Sequence, residues 1–173
     1  MVNRFFVKTP SNIITTPLNI NEEYRKNCIS KLYEIGDHQN NQTNVQAIMT
    51  SYNIWTHTDF FNDLLNKIIK TIDVVWPIKD ERYEYGLYDA WGAIYQKGNY
   101  TDPHYHFPHV ISFVYYLQAT PSTPIIFDAS DFKLFPTNDL LIIFPSYMLH
   151  SVPKHKEEED RICLAGNLKY VER

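Results

Sequence analysis

Apolar residues follow two different periods along this chain. Up to about residue 76 they recur at helical spacing. Across residues 20–35, Tyr24, Cys28, Ile29, Leu32, Tyr33 and Ile35 fall near a 3.6-residue period, and Gly36 follows as a stop signal. Residues 58–75 carry a wider stripe of Phe60, Phe61, Leu64, Leu65, Ile68, Ile69 and Ile72. Thr56 or Thr58 is placed to cap its start, and Pro77 lies beyond its end. An apolar stripe needs a partner surface, and the outer face of a sheet is the simplest one.

From residue 84 the period shortens. β-rich runs at 85–95, 109–118, 124–128, 140–144 and 161–170 alternate with turn residues such as Lys97-Gly98-Asn99, Thr120-Pro121-Ser122 and Pro136-Thr137-Asn138-Asp139. Short strands without intervening helices predict a mostly β sandwich or jelly roll, with the N-terminal helices packed on its outer face. The acidic run from Glu157 to Asp160 reads as a solvated loop between the last two strands. A single domain over residues 1–173 is expected, with a helical support region at about 18–76 and a β core at about 84–170.

Composition narrows the class. An apolar share of 44% excludes a disordered chain, and 13 tyrosines predict a cavity lined by rings that also carry hydroxyls. A formal charge of −4 offers no basic excess for nucleic acid. Cys28 and Cys163 sit in different element types and lack metal-ligand spacing, so reduced thiols are expected. The run from Met1 to Lys8 lacks a signal-peptide core, and no apolar stretch approaches the ~20 residues of a membrane span. The expectation is a soluble cytoplasmic protein without a membrane partner.

Four of the seven histidines fall in two short segments, Asp102-Pro103-His104-Tyr105-His106-Phe107-Pro108-His109 and Phe144-Pro145-Ser146-Tyr147-Met148-Leu149-His150. Side chains two apart on a strand share a face, so His104 and His106 point the same way. A histidine from a distant strand would complete a three-nitrogen set able to hold Fe, Zn, Cu or Ni. Ferrous oxygenases commonly use two histidines and a carboxylate. Asp102 shares the parity of His104 and competes with His106 for the third position, but Pro103 bends the entry between Asp102 and His104 and favours the three-histidine set. His150 on its own also reads as a surface-loop residue, and only the upstream pair turns it into a ligand candidate. His109 has the wrong parity, and His38, His57 and His155 receive no role.

A 2-oxoglutarate-using oxygenase also needs a buried cation for the far carboxylate of its co-substrate. Arg161, eleven positions after His150 at the start of an apolar run, offers the two-pronged contact that a carboxylate prefers. Its competing reading is a surface arginine paired with Glu159 or Asp160. Tyr116, which shares parity with His104 and His106, and Tyr95, nine residues before His104, can finish the polar lining.

These segments together resemble the Fe(II)- and 2-oxoglutarate-dependent dioxygenases, and within them an oxygenase family common in marine phages and bacteria and related to the prolyl hydroxylases. The matching pieces are Trp91-Gly92-Ala93-Ile94-Tyr95-Gln96-Lys97-Gly98, His104-Tyr105-His106, Ser112-Phe113-Val114-Tyr115-Tyr116-Leu117, Phe144-Pro145-Ser146 with His150-Ser151-Val152, and Arg161-Ile162 with Asn167. The resemblance covers roughly residues 84–170. It implies a double-stranded β-helix (a cupin-like jelly roll) with Fe(II) held by His104, His106 and His150, His106 standing where the wider superfamily has a carboxylate. It implies 2-oxoglutarate contacts from Arg161, Tyr116 and Tyr95. The implied reaction hydroxylates a peptide side chain, an amino acid or a small metabolite with O2, releasing succinate and CO2, in a host cytoplasm if the chain is phage-encoded. Two other readings stand beside it: a cupin-like three-histidine dioxygenase that does not use 2-oxoglutarate, and a non-catalytic metal-binding jelly-roll module.

Overall fold

The computed structural model describes residues 12–36, 43–78 and 80–173; the Met1–Lys8 run and His38 lie outside the described residues. The helical period yields α1 (Glu22–Ile35) and α2 (Asn62–Val75). Asn21 caps α1, its side chain accepting from the backbone of Glu23 and Tyr24. Gly36 ends α1 with an ordinary negative φ of −66°. Its requirement is space, because a Cβ there would meet Ile48 Cγ2 at 2.9 Å. The expected threonine cap of α2 is not made. Thr58 bonds the backbone of Phe60 ahead of the helix, Thr56 bonds Asn53, and Phe61 occupies the cap position without a side-chain bond. A turn at residues 59–61 therefore delays the helix by one turn.

Eleven strands form two antiparallel sheets: β1 (Ile14–Pro17), β2 (Val45–Gln46), β3 (Ile48–Met49), β4 (Tyr83–Tyr95), β5 (Tyr100–His104), β6 (Ile111–Gln118), β7 (Ile125–Phe127), β8 (Phe132–Leu134), β9 (Leu140–Pro145), β10 (His150–Val152) and β11 (Arg161–Glu172). The larger sheet runs β1-β9-β6-β11-β4-β3 and the smaller β2-β5-β10-β7-β8. This is the expected jelly roll with helices on its outer face. The first half is less helical than its pattern suggests, since β1, β2 and β3 add edge strands to both sheets. These strands, like β5, β8 and β10, are too short for a period to register in sequence.

The larger sheet is covered on both faces. Ala90 and Ile94 of β4, Phe113 and Tyr115 of β6, Leu141 and Ile143 of β9, and Ile162 and Leu164 of β11 pack outward with Leu32 of α1 and Leu64, Ile68 and Ile72 of α2. Each buried Leu, Ile or Phe among them contributes roughly 1.5–3 kcal/mol by leaving water. The alternate residues Trp91, Tyr95, Tyr116, Ile142, Phe144 and Cys163 face the smaller sheet. Two-sided burial is why these strands read as unbroken apolar runs. The acidic run lies between β10 and β11 as expected, tied down by Lys97 to Glu158 and by Tyr33 to Asp160.

Gly166 of β11 lies between Ala90 and Phe113 across its two strand pairs. A Cβ there would meet the Asp89 carbonyl oxygen at 2.5 Å and Phe113 Cζ at 2.7 Å. Backbone cannot yield cheaply, so Gly166→Ala should destabilise the fold by about 1–3 kcal/mol, read as a lower urea midpoint with an unchanged slope. An unchanged midpoint would contradict this close approach.

Candidate metal centre and its cavity

β5 and β10 bring the first and last histidines together, with His104 directly opposite His150 in the pairing register. Between His150 and Val152 the register slips, because Val152 pairs with Thr101 and leaves an extra residue on β5. This bulge falls at Asp102-Pro103, where a proline without an N–H is tolerated. It resets the alternation, so Thr101 and His104 both face inward while Asp102 is exposed. Simple parity put Asp102 on the ligand side; the bulge turns it out. Its carbonyl oxygen still serves the site by accepting from His104 Nδ1 at 2.8 Å.

His106 lies two residues past β5, its backbone N–H donating to Ser146 at 2.7 Å. The ring centroids are 4.8 Å apart for His104–His106, 4.3 Å for His104–His150 and 5.1 Å for His106–His150. One nitrogen from each ring falls within 4.8 Å of the others, a spacing that could hold a metal ion. His150 Nδ1 donates to the Met148 carbonyl at 2.9 Å. With Nδ1–H committed on His104 and His150, Nε2 of each keeps its lone pair. Asn167 steadies His106 from behind: its Nδ2 lies 3.5 Å from His106 Nδ1 and donates to Asp89 at 2.7 Å, and its Oδ1 accepts from Ser112 at 2.7 Å. Ser112 in turn shares a 2.9 Å bond with Ser146.

The three rings stay neutral. Burial depresses the His106 pKa to about 2, aided by His150 and His104, and burial with His104 depresses that of His150 to about 3. His104 is lowered by burial as well, though Asp102 and Asp128 oppose the shift. Asp128 accepts from Ser151 through Oδ1, while its buried Oδ2 has no partner. Three unprotonated imidazoles at this spacing suit a metal cation.

The same cavity reaches Arg161, Tyr95 and Tyr116. Arg161 opens β11 opposite Tyr95 of β4, and Tyr116 lies on β6 at the other flank. Its guanidinium carbon sits 4.7 Å from the Tyr95 ring and 4.8 Å from the Tyr116 ring. Nη2 donates to the Tyr116 hydroxyl at 2.7 Å. Tyr95 shares a 2.6 Å bond with Thr101. Arg161 is 1% exposed, which rules out the surface pairing with Glu159 or Asp160. Burial raises both phenols, Tyr95 to about 12, so both stay protonated.

No other described histidine joins the cluster. His109 lies tilted against Tyr88 with ring centroids 4.1 Å apart, and His57 is exposed after a short 3-10 turn. His155 lies in the loop after β10 yet is 1% exposed, pinned by Thr123 at 2.8 Å and by the Glu159 carbonyl at 2.7 Å. Asn167 is six positions after Arg161, so strand alternation alone would have put both on one face; Asp89 and Ser112 gave no comparable signal.

The depressed histidine pKa values set a pH dependence. The unfolded chain takes up protons near pH 6.5 that the folded chain refuses, so stability is whole above about 6.5 and falls as the pH drops below it. Metal-free protein should unfold at lower urea at about pH 5 than at about pH 7.5, with a smaller difference in His106→Gln. Equal midpoints would show that these rings are not buried neutral.

No family model and no curated protein matches this sequence. Solved structures do match in shape. The viral collagen prolyl hydroxylase of Paramecium Bursaria Chlorella virus-1, in its 2OG complex, is 13% identical with a TM-score of 0.69 over 90% of this chain and 94% of its own. HygX from Streptomyces hygroscopicus, with nickel and 2-oxoglutarate bound, is 9% identical with a TM-score of 0.72 over 92% and 83%. A Pseudomonas putida prolyl-4-hydroxylase is 12% identical with a TM-score of 0.65 over 92% and 93%. The chain therefore has the jelly-roll fold of these oxygenases, aligned over nearly its whole length.

Proposed function

We propose that this chain is an Fe(II)- and 2-oxoglutarate-dependent oxygenase, its two helices supporting one catalytic jelly-roll domain. The observation that carries the proposal is the state of Arg161. Its Nε and Nη1 are buried without a partner, and among the described residues no carboxylate pairs with it. An uncompensated buried charge costs several kcal/mol, and a carboxylate bound two-pronged offsets that cost. The deep end of the cavity is thus built for an anion, and the three imidazoles at its other end for a metal. 2-Oxoglutarate satisfies both, with one carboxylate for the guanidinium and a keto-acid group for the ion.

In this reading His104, His106 and His150 hold Fe(II). Arg161 and Tyr116 bind the far carboxylate, the Tyr116 hydroxyl accepting from Arg161 and keeping its own proton for the ligand. Tyr95 supports the guanidinium with its ring face. When bound, iron and the co-substrate supply the oxidation of a substrate C–H bond by O2, with release of succinate and CO2. The chain's tasks are to orient the ligands and exclude water, and the Trp91, Phe144 and Val152 walls do the latter. Three neutral ligands leave the full charge of the ion to be met by the co-substrate. The crystallised 2-oxoglutarate complexes of the viral hydroxylase and HygX support this reading. The substrate is a peptide side chain, an amino acid or a small metabolite, and buried free Cys28 and Cys163 fit a cytoplasmic setting.

Anaerobic addition of Fe(II) and 2-oxoglutarate should give a broad visible charge-transfer band, and air should then yield succinate. Arg161→Ala should weaken co-substrate binding by about 2–5 kcal/mol, roughly 30-fold to several thousand-fold, while metal binding persists. Arg161→Lys should recover only part of the loss, because an ammonium lacks the planar fork. No band and no succinate in the wild type would end the proposal. Metal-dependent O2 uptake indifferent to 2-oxoglutarate and to Arg161→Ala would favour the cupin-like enzyme instead.

A further inference from the structure

A second pocket opens beside the first and shares Val45, Trp91, His104 and His106 with it. Its walls are aromatic. Tyr52 meets Trp91 edge-on at 5.1 Å, and the loop after β5 adds Tyr105 and Phe107, exposed by 60% and 72%. Among the described residues no lysine or arginine lines it.

One carboxylate does. Asp89, half-buried on β4, gives Oδ1 to Asn167 at 2.7 Å, and its Oδ2 has no hydrogen bond among the described residues. Nor does it form an ion pair there. Burial raises its pKa, with Asn167 and His109 opposing. Among the described residues the other titratable groups on this wall are His104, His106, His109, Tyr52 and Tyr105, and His109 lies tilted against Tyr88 without a hydrogen bond to Asp89. Asp89 is therefore a carboxyl group without an ion-pair partner among the described residues, set among ring faces next to the proposed metal ligands. Carboxylate and ring faces together select a cation.

We propose that Asp89, with Tyr52 and Trp91, forms a substrate subsite for a cationic nitrogen, an ammonium or guanidinium carried on an aliphatic chain. This deepens the oxygenase proposal and rests on it for the chemistry that follows binding. The carbon chain attached to the cation would lie along His104 and His106, which border the same pocket. The two ends of the site then have opposite charge: Arg161 takes the anionic co-substrate, and Asp89 takes the cationic substrate.

Calorimetric titration of the full chain, with and without Ni(II), tests this directly. The probes are Nα-acetyl-lysine amide, its neutral isostere Nα-acetyl-norleucine amide, and butylamine. The lysine probe should bind at least about tenfold more tightly than the norleucine probe, a preference of the size expected for one charge-assisted contact. Asp89→Asn, which keeps the Asn167 bond, should abolish the preference; Tyr52→Leu should weaken the lysine probe severalfold while retaining it. Comparable binding of butylamine would indicate a small amine as substrate, and its absence a lysine side chain within a peptide; both support the subsite. Equal binding of the charged and neutral probes, no binding of any probe, or a preference that survives Asp89→Asn in a folded variant would overturn it. 2-Oxoglutarate titrated separately onto wild-type protein reports on the Arg161 end alone. Its failure would sink the oxygenase reading and leave the cation result standing.

Discussion

Everything in this molecule depends on burying both faces of the larger sheet. Helices α1 and α2 cover its outside with Leu32, Leu64, Ile68 and Ile72, so the strands can commit their other face to the smaller sheet. β11 shows the consequence most clearly. Ile162 and Leu164 point to the helices, while Arg161, Cys163, Ala165 and Asn167 point inward. The apolar members of the inner set build a core, and the polar members build a cavity within it. A guanidinium at this depth is held by packing that the outer layer supplies.

The inner cavity is graded in charge. Arg161 lies at one end between two protonated phenols, three neutral imidazoles stand in the middle, and Asp89 occupies the neighbouring pocket. Low dielectric makes an uncompensated charge expensive, and the ligands proposed above would supply the opposite sign in each case. The neutrality of the imidazoles follows from the same burial. It keeps their lone pairs ready for a metal without competition from protons near neutral pH.

Much of this was legible along the chain. The change of period near residue 84 separated helices from strands, and the apolar runs at 140–144 and 161–170 marked strands buried on both faces. The clustering of His104 and His106, answered by His150 and then Arg161, marked groups that the fold brings to one cavity. The short strands were illegible, since Val45–Gln46 or His150–Val152 is too brief to display a period. So was the cap of α2, where a turn displaced Thr58 from the helix start.

By itself the sequence determined the class of fold, the sides on which most strand residues lie and the short roster of groups capable of the chemistry, because those depend on local period and residue type. Tertiary structure alone grouped His106 with His104 and His150 and turned Asp102 outward, since a bulge at Asp102-Pro103 shifts alternation by one residue, a displacement that Pro103 only hinted at. It alone decided that Arg161 is buried with no ion-pair partner among the described residues, and that Asp89 faces the pocket next to His106. Burial and pairing are properties of what other strands bring near, and contacts between residues as distant as Asp89 and Asn167 exist only once the sheet has formed.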